Sequence, residues 1–233
     1  MFQQRDSNTI PQEDLEKVIV DINNEIDHLK TETNYINIGE HRIFYSFNRS
    51  GSKHLPLVVL VHDQINSSSI WMENETVKNL VINDYNYISL DLPTHGQSLG
   101  PNLEQQDKYV FFTAFLQQIC ALFRQDNVVL CGASMAGQYI IPTLNHGIRG
   151  VNIKGLVAIA LSDTEVLNTS RSLPKTLLVR GEWDTSIGPN AAAVFGKFEN
   201  CNEFVIANGR HFCHLGSTAD EFNRLLLGFL KDL

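Results

Sequence analysis

Three residues of this chain have the types and the order that acyl transfer requires: Ser134, Asp184 and His211. A serine hydroxyl is a poor nucleophile until a base removes its proton, and that base needs a third group to hold it. Ser134 stands in Gly132-Ala133-Ser134-Met135-Ala136-Gly137, after an apolar run at 127–131 and before a helical-looking stretch at 138–144. Strand, then Gly-x-Ser-x-small, then helix is the context of a nucleophile elbow. Gly132 and Ala136, two residues either side of the serine, are small enough for strand and helix to pass close together. Asp184 closes the loop after a predicted strand at 176–179, and His211 follows the last predicted strand. Asp163, after the strand at 154–161, competes as the acid, and Glu182 would need a different loop shape.

A nucleophile of this kind also needs two backbone N–H donors for the oxyanion of the tetrahedral intermediate. One is Met135, next to the serine. The other comes from the loop after the strand at 57–61, where Gln64 is the candidate. That loop reads His62-Asp63. A carboxylate there opposes a developing negative charge unless it points outward or pairs with a cation. His62 and His95 precede the elbow and read as loop-bracing groups. His214, three residues past His211, could be a ligand or a spare base. A solvated histidine at a helix start is the favoured reading of it.

Alternating elements must position these groups. Tyr35–Ile38 and Arg42–Phe47 read as a hairpin turning at Gly39-Glu40, and Leu57–Val61 as a strand buried on both faces. A helix is expected near 69–81, a strand at 87–90 and a helix at 109–123. After the elbow come strands at 154–161, 176–179 and 203–206, with helices at 190–198 and 219–232. This alternation predicts an α/β domain with a mostly parallel sheet. Reacting groups gather at the carboxyl ends of such strands, where all three residues fall.

Composition narrows the function classes. The chain has 233 residues, 43% hydrophobic content and a net charge of −8. Three basic and nine acidic residues lie within residues 1–40, so most of that charge sits there. An acidic balance argues against nucleic acid and anionic membranes, which want clustered Lys and Arg. No run approaches the roughly 18 apolar residues of a membrane span. The N-terminal residues lack the basic-then-apolar pattern of a secretory signal. Four scattered cysteines without metal-ligand spacing fit reduced thiols, so the expected location is cytoplasmic. Residues 11–30 read as an amphipathic helix, with Leu15, Ile19, Ile22, Ile26 and Leu29 in one stripe. It would pack on its own domain, dock a partner or mediate self-association.

Read together, these segments resemble the α/β-hydrolase superfamily across nearly all of residues 35–233. The carriers are Val58-Val59-Leu60-Val61-His62, Asp91-Leu92-Pro93-Thr94-His95-Gly96-Gln97-Ser98, the elbow, Gly181-Glu182-Trp183-Asp184, and His211. Gly137-Gln138-Tyr139-Ile140-Ile141-Pro142 and His211-Phe212-Cys213-His214-Leu215 are similar to the α/β-hydrolase domain-containing protein 14 group. The resemblance implies an α/β-hydrolase fold, with helices flanking a mostly parallel central sheet and no cap or lid domain. The short segment 162–175 agrees, since a cap would be inserted there. It implies a Ser134–Asp184–His211 triad and hydrolysis of small acyl esters without cofactor or metal. Acyl transfer from acyl-lysine to coenzyme A is a subsidiary implication. The domain would span 34–233, preceded by an acidic extension over 1–33 on which the family is silent. The chain departs from the family at Asp63 and at Ala136. With the N-terminal helix, Asp63 motivates the contrasting expectation of a catalytically weak binding or scaffold protein on the same fold.

Overall fold

The computed structural model describes residues 31–233. The helix expected over 11–30 lies outside the described residues. Within them, eight strands form one sheet: β1 (Glu32–Ile38), β2 (His41–Asn48), β3 (Leu57–Val61), β4 (Tyr87–Leu90), β5 (Asn127–Ala133), β6 (Asn152–Ile159), β7 (Lys175–Gly181) and β8 (Cys201–Ile206). Their order across the sheet is β1-β2-β4-β3-β5-β6-β7-β8. β1 and β2 form an antiparallel hairpin, and β2 pairs antiparallel with β4. Every other pairing is parallel. The hairpin turns at Gly39, whose φ of +59° lies in the left-handed region that glycine adopts without steric cost.

Among the described residues, six helices cover the sheet: α1 (Ile70–Glu73), α2 (Thr76–Ile82), α3 (Asp107–Phe123), α4 (Gly137–His146), α5 (Ile187–Phe195) and α6 (Ala219–Lys231). The two-residue period of the strands divides the core between two faces. Leu57, Val59 and Val61 of β3 join Val128 and Leu130 of β5 on one face, with Phe112 and Phe115 of α3 and Ile140 of α4. Val58 and Leu60 join Val129 and Cys131 on the other face, with Trp71 of α1, Leu80 of α2 and Phe222 of α6. A strand covered on both sides has no polar face, which is why β3 reads as unbroken Leu-Val-Val-Leu-Val.

The single helix expected near 69–81 is two helices. Asn74 breaks it: its side-chain oxygen accepts from Thr76 N–H, and its amide donates to the His214 carbonyl. Glu75 then takes a φ of +62°. An asparagine that bonds its own backbone two residues on competes with helix continuation. The chain between β6 and β7 holds one 3₁₀ turn at Thr164–Val166, and no cap domain is inserted there.

Candidate active site

The parallel strands bring three loops to one edge of the sheet. Val61 of β3 lies beside Gly132 of β5, and Ile159 of β6 beside both Ala133 of β5 and Val179 of β7. The loops that leave β3, β5 and β7 therefore emerge close together. Ser134 follows β5 directly and has a φ of +48°. For a residue with a Cβ, that conformation costs roughly 1–2 kcal/mol. Close packing enforces it. A Cβ on Gly132 would come within 2.8 Å of the Ala136 Cβ and 2.5 Å of Ile140 Cδ1. The Ser134 carbonyl also accepts from Ser162 N–H at 2.9 Å. Ser162, which the sequence reading did not single out, thus ties the β6 loop to the elbow.

His211 joins the other two groups. Its Nδ1 is 2.8 Å from Asp184 Oδ2, and its Nε2 is 2.8 Å from Ser134 Oγ. A carboxylate can only accept, so Nδ1 carries the proton and the Nε2 lone pair faces the serine hydroxyl. Asp184 is buried and also accepts from Ser186 N–H at 3.1 Å and Gly188 N–H at 3.0 Å. Burial works to raise its carboxyl. Against that, the hydrogen bonds from His211, Ser186 and Gly188 and the His211 charge hold it below the usual carboxylate range. Where the β7 and β8 loops meet, a Cβ on Gly181 would lie 2.2 Å from the Arg210 carbonyl, so only glycine fits.

The rival acids are occupied elsewhere. Asp163 accepts from Ser162 Oγ at 2.5 Å, and Glu182 accepts from Asn208 N–H at 2.9 Å. His214 is fully buried, which corrects the expectation of a solvated histidine. It packs against Trp71 at 5.2 Å and Phe222 at 5.8 Å between ring centroids. Neither of its ring nitrogens has a hydrogen-bond partner among the described residues. Burial, with the His211 charge adding and Asp63 opposing, pushes its imidazole down to about 4.

The loop after β3 resolves the difficulty at Asp63 in a way the sequence reading did not foresee. The carboxylate neither points outward nor meets a cation. It is buried and folded back into its own loop. Oδ1 accepts from Ile65 N–H at 2.9 Å and Asn66 N–H at 3.2 Å, and the Asn66 side-chain amide reaches both oxygens at 3.0 and 2.8 Å. An aspartate followed three residues later by asparagine was the available signal.

His62 fixes the peptide before Gln64. Its Nε2 accepts from Leu92 N–H at 2.9 Å, which leaves Nδ1 as the donor to the Asp63 carbonyl at 2.5 Å. Burial pushes this ring down to about 4, and neighbouring His95 adds to that. The bond to Asp63 and the charges of Asp91 and Asp63 work the other way. A neutral ring keeps that donor in place at ordinary pH. In a planar trans peptide the N–H points opposite to the C=O, so Gln64 N–H is turned away from His62. Gln64 N–H donates to no group among the described residues. Met135 N–H lies in the first turn after Ser134, at the positive end of the helical segment.

Three loops of this edge expose large apolar side chains: Ile65 at 74%, Val166 at 59% and Trp183 at 53%. A groove of about 680 Å³ opens beside His211, lined in part by Trp183, Arg210, Phe212 and Leu215. No helix of the described residues is long and apolar enough to cross a membrane.

Comparison with known proteins agrees with this architecture. The family described as the alpha/beta hydrolase fold matches residues 56–140, from the start of β3 through the elbow. Protein ABHD14A of Danio rerio is 29% identical over 179 residues, which cover 76% of this chain and 64% of that protein. This chain therefore spans less than two thirds of that relative's length. ABHD14B of Rattus norvegicus, named provisionally as a protein-lysine deacylase, is 26% identical over 76% of this chain and 83% of its own. Among solved structures, the esterase Pf2001 of Pyrococcus furiosus superposes with a TM-score of 0.72 at 16% identity, covering 98% of each chain. The matched segment and the solved structures agree on an α/β-hydrolase fold, and in sequence the chain is similar to the ABHD14 proteins.

Proposed function

We propose that this protein is a serine hydrolase that cleaves small acyl esters through a covalent acyl-enzyme. The observation that carries the reading is the unbroken relay from Asp184 through His211 to Ser134, with both links at 2.8 Å. Ser134 Oγ attacks the acyl carbonyl while His211 Nε2 takes its proton. Asp184 holds His211 in the Nδ1–H tautomer and stabilises the imidazolium that forms. Met135 and Gln64 N–H groups receive the oxyanion. His211 then gives the proton to the leaving group, and water activated by the same nitrogen releases the acid.

The apolar side chains of Ile65, Val166 and Trp183 around this edge suit an uncharged acyl group. The provisional name of the rat relative supports acyl-lysine as a second substrate class, with coenzyme A as the acceptor when the acyl group is transferred instead of hydrolysed. The four cysteines are free thiols, which supports a reducing, cytoplasmic setting.

A fluorophosphonate probe should label the protein, and Ser134→Ala should abolish labelling. Labelling that survives this change would remove Ser134 as nucleophile. p-Nitrophenyl esters of increasing chain length, and acyl-lysine peptides with and without coenzyme A, then define the acyl group and the acceptor. Rates that do not respond to coenzyme A would confine the reaction to hydrolysis.

A further inference from the structure

His95 joins the loop after β3 to the loop after β4 in a way that makes a specific demand on its protons. Its Nδ1 is 3.0 Å from the Pro93 carbonyl oxygen, and its Nε2 is 3.2 Å from the Gln64 carbonyl oxygen. Both partners are backbone carbonyls and can only accept. A neutral imidazole has one N–H, so it satisfies one carbonyl and sets a lone pair against the other. An imidazolium satisfies both.

The bond to Gln64 matters because of where it falls. The peptide joining Gln64 to Ile65 is held at its N–H end by Asp63 Oδ1. Its carbonyl end is held by His95. The preceding peptide is held by His62 through the Asp63 carbonyl. Gln64 thus sits between two clamped peptide planes, and the direction of its N–H follows from both clamps. Releasing His95 frees one of them. The titratable and charged groups around this contact are His62, whose ring lies 5.0 Å from that of His95, Asp63 of the same loop, and Asp91 of the facing loop. Asp63 is engaged by Asn66, and Asp91 by Ser68 and Gln97 N–H groups at 2.7 and 2.6 Å.

We propose that His95 is a positioning residue which, in its doubly protonated form, straps the Gln64 loop in place and so sets the oxyanion donor. The proposal rests on the hydrolase reading for its effect on rate, but the strap itself does not depend on turnover. With a proton on each ring nitrogen the strap is closed; with a single proton, one carbonyl has no donor and the loop loosens.

Two experiments test this. The first follows the ring nitrogens of His95 by ¹⁵N NMR across pH in the Ser134→Ala protein, which cannot turn over. Protons on both nitrogens at low pH, and shifts of the Gln64, Ile65 and Asn66 amides in step with their loss, are expected. Loop amides that ignore the titration of His95 would overturn the strap, whatever the protein hydrolyses. The second compares kcat and KM profiles against pH on p-nitrophenyl acetate for the wild type, His95→Gln and His95→Arg. Removing an oxyanion donor costs about 10²–10³ in kcat, so loosening one should cost about tenfold. His95→Gln should lose that about-tenfold share of kcat with little change in KM. His95→Arg, with permanent charge and several donors, should exceed His95→Gln in kcat. A kcat of His95→Gln within about twofold of the wild type, or His95→Arg no faster than His95→Gln, would overturn the proposal. An unlabelled, inactive wild type would instead sink the hydrolase reading and leave the NMR result to decide the strap.

Discussion

The two sides of Ser134 are built by opposite means. On the β7–β8 side, side chains stand ready for chemistry and the backbone holds them: Asp184 is fixed by the N–H groups of Ser186 and Gly188, and it fixes His211. On the β3–β4 side, the backbone offers the proposed donor and side chains hold it: His62, Asp63, Asn66 and His95 all brace the peptides around Gln64. The difference explains what an acidic residue does in each place. In the proposed reaction Asp184 keeps its charge close to the cation that forms on His211. Asp63 is tolerated because its charge is spent on four hydrogen bonds within its own loop. One carboxylate is an orienting group and the other is a turn.

The comparison breaks first on the side-chain half. Asp184→Asn keeps the shape but lets the wrong tautomer of His211 face Ser134. In a Ser-His-Asp triad that change lowers kcat by about 10⁴. A fall of less than tenfold on p-nitrophenyl acetate would show that His211 does not depend on Asp184. The backbone half should respond more gently. Asn66→Ala removes the amide that reaches both Asp63 oxygens and leaves a buried carboxylate short of donors, at a cost of about 1–3 kcal/mol. Urea unfolding should show that loss. kcat should fall by about tenfold as the Gln64 donor drifts, less than the 10²–10³ of deleting a donor. Unchanged stability with unchanged kcat would mean that Asp63 needs no such tether.

The same contrast accounts for what could be read from the chain. Ser134, Asp184 and His211 were legible because each is a chemical group at the end of a strand, and strand ends are marked by apolar runs and turns. That the sheet is mostly parallel follows from the same runs, whereas the order of its strands does not. The role of Asp63 was not legible. Residue type gave its charge, but its direction depends on a three-residue turn closed by Asn66. The break between α1 and α2 was hidden for a similar reason: Asn74 bonds both Thr76 and the distant His214 carbonyl, and the second contact exists only after folding. Ser162 acts through its backbone alone, so no side-chain motif announces it.

His214 sharpens the comparison at its smallest scale, because it lies three residues from His211 and differs in everything but type. His211 has a carboxylate on one nitrogen and a hydroxyl on the other. His214 has neither, and it is enclosed by Trp71, Phe212 and Phe222. A buried polar group without a partner costs about 1–3 kcal/mol. His214→Phe should therefore leave kcat/KM within about twofold and raise stability at pH 7 by about 1 kcal/mol. The acid side gives a stronger reading. The folded-state value of about 4 lies below the ordinary value near 6.5, so the unfolded chain takes up the proton first. The stability contributed by the neutral ring is complete above about 6.5 and is lost as pH falls toward 4. Between pH 7 and pH 5 that loss is on the order of 2 kcal/mol, and His214→Phe should remove it while leaving the share that belongs to His62, which titrates in the same window. Urea unfolding of both proteins at the two pH values measures the difference directly. A variant that loses as much stability as the wild type between pH 7 and pH 5 would mean that His214 is not the group that titrates on unfolding, whereas a loss at pH 7 alone also follows from the larger ring overpacking the site.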